Sequence, residues 1–540
     1  MNPNERRTVL SNACMRPSHV RCTLLFLIAL VFLVRVPAFG SAVPEAERLQ
    51  HLAALIHKGK LAQAEQGLWD ILSRQPDNAP ALNLMGLIRV EQKRYSEAEA
   101  LFQRAIQLDP KLIAPYVNLG GLYETEKKID EATSALLKAK QLAPADPRTN
   151  VNLALLYEET GKYEQSLEMI RRVSASSRPA SLLPVLAADD LEVGRVSEAR
   201  ALAPLVLQQS AKTPQIAVGF ADAFLARHMT DDAIRVLEGA ARVHEPTADM
   251  MYALGIAYEQ KGNTAVAQSY FQRSLRLRPK SVDALLALAR VYESQRQLTK
   301  ALSLLEQARK ESPDSLQVLR PYAGVSLRAG HGGPALAAAR QLVHLDPADA
   351  NNIYLLGVAL LQTRDYAGAQ ENFQKFVSSM PDDPRGHLGL GIAYLDQLNY
   401  TAAQTSLERC LQLDPKSSGA KYFLGVTARD QGDNIHAIQF MQQVVTVHPD
   451  DVDALTLLGS SLIQTGNYSE ASVILSRAVK LRPVDADIHY QLGLLYFRLG
   501  RVADAQREMA RYRELAPRSP QSNAQPGVDH QLKLPGPRQP

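Results

Sequence analysis

Cysteine, tryptophan and the other aromatics are scarce in this chain. Three cysteines (Cys14, Cys22 and Cys410) in 540 residues exclude a disulfide framework and a cysteine-rich zinc module. One tryptophan and only 6% aromatics, beside abundant Ala, Leu and Gln, point to helices rather than strands. Chemistry is also missing. The twelve histidines show no metal-ligand spacing and no HExxH, GxSxG is absent, and no glycine-rich phosphate loop opens a helix after a strand. No cofactor or metal is expected. Cys410 sits where packing calls for a small residue, which reads as a buried, inert thiol. The acidic pairs Asp189-Asp190, Asp231-Asp232 and Asp382-Asp383 read as helix caps or solvated faces rather than acid–base machinery. Charge of one sign is hardly in excess, with 60 Lys+Arg against 56 Asp+Glu.

What excess there is lies at the start. Residues 1–21 hold Arg6, Arg7, Arg16 and Arg21 against Glu5, and thirteen uncharged residues follow from Cys22 to Val34. That run is shorter than the roughly 20 residues a membrane span needs, and it fits the apolar core of a signal peptide. Small residues at Gly40 and Ala42 suit a peptidase, so residues 1–42 read as a signal peptide cleaved after Ala42. The alternative is an uncleaved anchor, the one route by which this sequence would touch a membrane. Without that segment, which holds five of the basic residues and one acid, 55 of each sign remain. The composition therefore gives no case for a nucleic-acid partner. The expectation is an exported chain, periplasmic or secreted.

Periodicity dominates the rest. Prolines recur 34 residues apart at Pro279, Pro313, Pro347, Pro381, Pro415, Pro449, Pro483 and Pro517, and again at Pro76, Pro110 and Pro144. With proline at position 32 of each unit, position 20 is Ala in thirteen of fourteen units, Ser166 being the exception. Position 8 is almost always Gly or Ala (Gly86, Gly120, Gly255, Gly357, Gly391, Gly493). Large residues hold positions 7, 11 and 24, as in Leu254, Tyr258 and Phe271. Small residues at 8 and 20 let two helices approach closely, and the large ones fill the space beside that contact. Gly at position 15 in eight units suits a left-handed residue ending the first helix, and the proline ends the second. No unit can bury both of its apolar faces alone, so neighbours must stack.

These residues resemble the tetratricopeptide repeat family over residues 45–519, as fourteen units of which 147–179 is one residue short. The resemblance implies an all-α, right-handed solenoid of helix-turn-helix repeats, with first helices lining a concave groove. The pattern is degenerate at 45–78 and 147–247, through drift with the fold kept or through a looser joint. Residues 520–540, rich in Pro, Gln and Gly, read as a disordered tail. In this family first-helix positions 2, 5, 6, 9, 12 and 13 tend to face the groove. Position 5 carries Tyr252, Arg320, Tyr354, Tyr422 and Tyr490, beside the apolar Val358, Ile392, Val426 and Leu494 at position 9 and Leu327, Leu361, Leu395 and Phe497 at position 12. That predicts a Tyr-studded apolar stripe for an extended or helical peptide. The family's clamp for a peptide carboxyl terminus is broken here, since Asn83 and Leu87 replace its Lys and first Asn and Asn152 replaces its last Arg. Asn118 and Asn152 remain candidates for contacting peptide backbone.

Long arrays of this kind also precede the glycosyltransferase domain of enzymes that attach N-acetylglucosamine to Ser or Thr. Twenty-one residues follow the last unit here, so the expectation is a non-enzymatic scaffold whose partners are proteins or peptides. A subunit of an envelope exopolysaccharide or protein secretion complex is the alternative. Oligomeric state is left open.

Overall fold

The computed structural model describes residues 45–516 except 176 and 244. The expected signal peptide and the tail at 520–540 lie outside these. Among the described residues every regular element is a helix. The helices come in pairs at the predicted period, for example Ala350–Gln362 with Tyr366–Ser379, then Pro384–Asp396 with Tyr400–Leu413.

The residues at the punctuation points explain these boundaries. Asp349, Asp383, Asp451 and Asp485 cap first helices, each side chain accepting a backbone N–H two or three residues on. This leaves one orphan donor of the first turn satisfied. The helix-ending residue at position 15 is left-handed in all fourteen units. Eight are glycines with φ between 70° and 84°, as expected. The other six are Lys93, Lys127, His228, Arg296, Arg364 and Leu398, with φ between 56° and 64°. Tertiary packing forces these L-residues into a backbone region that costs them about 1 kcal/mol.

Packing follows the small-and-large code. The position-20 alanines are buried, and Phe102, Phe271 and Phe373 at position 24 are among the most deeply buried side chains. A Cβ at Gly86 would lie 2.5 Å from the Phe102 ring, and one at Gly357 would lie 2.8 Å from Phe373. The aromatic ring therefore occupies the space that a position-8 side chain would need. Cys410 is buried as predicted, and burial pushes its thiol up to about 11.

The chain divides into two compact bodies, one ending at Pro279 and one starting at Lys280. Within the amino-terminal body the irregular stretch is 163–210. The helix Tyr163–Arg172 has 10 residues where its counterparts have 14, and the second helix of the next pair breaks into Val196–Ala201 and Ala203–Ser210. The break falls where Pro204 enters the first turn of its latter half. Even so, one apolar core runs without interruption from Val117 to Ala257, anchored by Phe220 and Phe224 with ring centroids 5.0 Å apart. Residues 147–247 thus lie within one body.

One reading from the sequence needs correction here. Asp189 and Asp190 neither cap a helix nor face solvent: they sit late in the helix Leu183–Glu192 and are buried. Both carboxylate oxygens of Asp189 lack a hydrogen-bond partner, and the hydroxyl of buried Ser166 beside it is off hydrogen-bonding geometry. Burial pushes the Asp189 carboxyl up to about 7. Asp190 Oδ1 lies 3.7 Å from Arg171.

Candidate peptide groove

The first helices carry all seven sequence-predicted site residues, but the structure sorts them into different environments. Tyr354 and Tyr422 are buried, which corrects their assignment to an open groove surface. The ring of Tyr354 packs on Phe373 and Phe376, at centroid distances of 5.8 and 5.3 Å. Arg385, from the following unit, lays its guanidinium 4.9 Å above the ring and pairs with Asp383 at 2.7 Å. Desolvation pushes the Tyr354 phenol up to about 12 and raises that of Tyr422. Tyr422 meets Phe423 edge to face at 5.3 Å. Tyr354 is therefore covered from the next unit by Arg385, while Leu388 and Thr456 at the same position of their own units stay half-buried. Val358 and Ile392 at position 9, and Leu361 and Leu395 at position 12, are buried as well.

The remaining candidates stay at least half-accessible. Tyr252 is half-buried, its ring 5.9 Å from Phe271. Arg320 is also half-buried but already held: its guanidinium meets Asp349 at 2.5 Å, and its Nε donates to Asn352 Oδ1 at 3.1 Å. It serves as a clasp between units before it could serve a ligand. Tyr490 is exposed on one side and stacks obliquely on Tyr512 at 5.3 Å. Asn118 donates its amide to Asn83 Oδ1 at 2.8 Å, so the structure pairs Asn118 with Asn83, while Asn152 is half-buried one unit on.

What the first helices offer to solvent is a set of side chains drawn from positions 5, 6 and 9. Leu355, Leu388 and Val426 pack by one side on the core of the carboxy-terminal body and keep the other side accessible, with half-buried Thr456, Ser460 and Leu494 further along. Sequence reasoning did not anticipate that the Tyr354 and Tyr422 rings are buried.

Sequence reasoning also missed a recurrent clasp at position 4. Tyr116, Asn150, His387 and His489 each bond the backbone carbonyl of the proline six residues earlier: Pro110 at 3.3 Å, then Pro144, Pro381 and Pro483 at 3.0 Å each. Three side-chain types perform one task, fixing the linker to the incoming helix. The signal was a polar residue six positions after the unit proline, visible only once the period had been set.

Among the described residues, no three His, Cys, Asp or Glu side chains are grouped as a metal ion would require, and no helix is long and apolar enough to cross a membrane.

Comparison with known proteins agrees with this architecture. Tetratricopeptide repeat models match residues 54–113, 89–148, 147–177, 218–315, 354–452 and 459–500. The chain belongs to the tetratricopeptide repeat family. The matches pass over 178–217, which holds the split helix, and over 316–353, where the helices keep their regular lengths. No curated protein matches the sequence. Similar solved structures include a tetratricopeptide repeat protein from Parabacteroides merdae ATCC 43184, 18% identical over 46% of this chain and 98% of its own, with a TM-score of 0.41. The APC/C hetero-tetramer Cut9-Hcn1 is 14% identical over 83% of this chain and 96% of that one, TM-score 0.42. Yeast Tom70 is 14% identical over 81% and 96%, TM-score 0.35.

Proposed function

We propose that this chain is an exported, non-enzymatic scaffold that holds peptide segments of other proteins along the first helices of its repeats. The observation that carries the reading is the half-buried apolar set Leu355, Leu388, Val426 and Leu494 on successive first helices, with Thr456 and Ser460 among them. A stripe repeated by stacked units suits an amphipathic helix or an extended segment, whose apolar side chains lose water while its polar edge keeps it. The charge-neutral composition beyond residue 42 fits a protein partner better than a nucleic acid.

The test is partner recovery from the native compartment with the Leu388→Asp, Val426→Asp double variant beside Tyr354→Phe. The reading expects recovery to be lost with the first and kept with the second, since Tyr354 contributes packing rather than contact. Equal recovery from both, with helicity intact, would overturn it. Export is tested apart from binding: a mature chain beginning at Val43 supports cleavage after Ala42, and retention of residues 1–42 on a membrane-bound chain supports the anchor instead.

A further inference from the structure

Position 9 of the first helices is apolar or small in every unit but two, where Asp222 and Arg290 hold it. Asp222 lies in the helix Gln215–Leu225, one turn after Val218 and Gly219, so the three share a face. The surface around it is apolar and half-open. Val218 packs by one side on the core of the amino-terminal body, as do Val185 on the preceding first helix and Ile256 on the following one. The helices approach closely here: a Cβ at Gly219 would lie 3.2 Å from the ring of Pro184.

The carboxylate itself has nothing to hold. Other acids nearby are paired, Asp231 with Lys261, Asp232 with Arg200 and Asp249 with Arg278. Among the described residues Asp222 has neither an ion-pair nor a hydrogen-bond partner. Water reaches it, yet burial pushes its carboxyl up to about 7, and the charge of Asp249 adds to the shift. A carboxyl standing on a convex surface would keep its ordinary value near 3.8. Exposure and desolvation together put Asp222 on the floor of a depression, open to solvent on one side and closed in by protein on the others. An ionised group held partly dry without a counter-charge is a cost to the free chain, which a cationic ligand offsets.

The surroundings narrow the ligand. No three metal-ligating side chains are grouped there. A lysine or arginine side chain matches both halves of the site: its apolar stem can lie along Val218 and Ile256 while its head reaches the carboxylate. We propose that the first helices Leu183–Glu192, Gln215–Leu225 and Ala248–Gln260 form a second peptide site, selective for a segment that presents Lys or Arg between apolar residues, with Asp222 receiving the cation. This extends the groove reading to the amino-terminal body. The two can fail separately, because the Leu388→Asp, Val426→Asp pair lies in the other body.

The test uses two pools of short fluorescent peptides, with Ala, Leu, Val, Ser or Gln at every position except the centre. One pool carries Lys at the centre and the other its uncharged counterpart norleucine. Binding to the full chain is measured at pH 8, above the Asp222 value of about 7, and at physiological ionic strength, where charges more than about 8 Å apart are screened. The wild-type chain should bind the Lys pool about tenfold more tightly than the norleucine pool. Asp222→Asn should bind the two equally, with circular dichroism unchanged because Asn keeps the shape of Asp. Equal binding of the two pools by the wild type would overturn the proposal. So would a Lys preference that survives in Asp222→Asn, which would put the cation elsewhere on the chain.

Discussion

Two stretches of the same repeat pattern differ in how they are held together. From 350 to 483 the small-residue, large-residue and proline sites recur in step, and the helices keep 13 and 14 residues. From 147 to 247 the unit proline slips, one second helix is shortened and another is split, and the interior admits Ser166, Asp189 and Asp190. Both are nonetheless packed through. The regular stretch relies on a Phe, Leu or Met against a Gly at each unit. In the irregular one Phe220 and Phe224 take up the slack from a first helix, and a buried carboxyl is carried as a cost. A repeat array thus conserves the filling of its interior rather than the lengths of its elements.

The comparison can be broken most forcefully at its aromatic anchors. Phe373→Ala should destabilise the carboxy-terminal body by about 4 kcal/mol, and Phe224→Ala should cost the amino-terminal body a similar amount. A much smaller loss for Phe224 in denaturant melts would show that the irregular stretch is loosely filled. Tyr354→Ala, which opens a cavity beneath the groove, should cost about 3 kcal/mol. The same change at Tyr490 should cost less than about 1 kcal/mol; equal losses would contradict the difference in burial.

Asp189 sharpens the comparison through pH. Its native carboxyl holds a proton up to about pH 7, whereas the unfolded chain releases it near the ordinary value of 3.8. The folded state therefore binds more protons between those limits, and stability falls as pH rises from about 4 to 7. Asp189→Asn should remove this dependence. It should raise the stability of the amino-terminal body by about 2 kcal/mol at pH 8 and change little at pH 4. A gain independent of pH would point to packing instead. The smallest effect concerns the turns: Leu398→Gly, which frees an exposed left-handed residue, should stabilise by no more than about 1 kcal/mol.

Period, helix pairing and the contact between positions 8 and 24 were legible in the sequence because they rest on fixed spacings within one unit. Gly357 faces Phe373 wherever the units sit. Position 5 was not legible in this way. Whether Tyr354 lines a groove or slides under its neighbour depends on how far Arg385 reaches from the next unit, which no single unit encodes. Asp189 and Asp190 were misread for a related reason: acidic pairs usually cap or solvate helices, and the groups beside these two, Ser166 and Arg171, come from the preceding unit. The six non-glycine left-handed residues show packing overriding local preference, and the position-4 clasp was hidden by using chemically different side chains for one bond.

The central claim is that one interior runs through the degenerate stretch as it does through the regular one. Hydrogen exchange of the whole chain, read by peptide, tests it directly. The account predicts that the helices Leu183–Glu192, Gln215–Leu225 and Thr230–Val243 are protected to within about tenfold of Ala350–Gln362 and Tyr400–Leu413. Exchange across 183–243 at the rate of unstructured peptide, with 350–413 still protected, would contradict it.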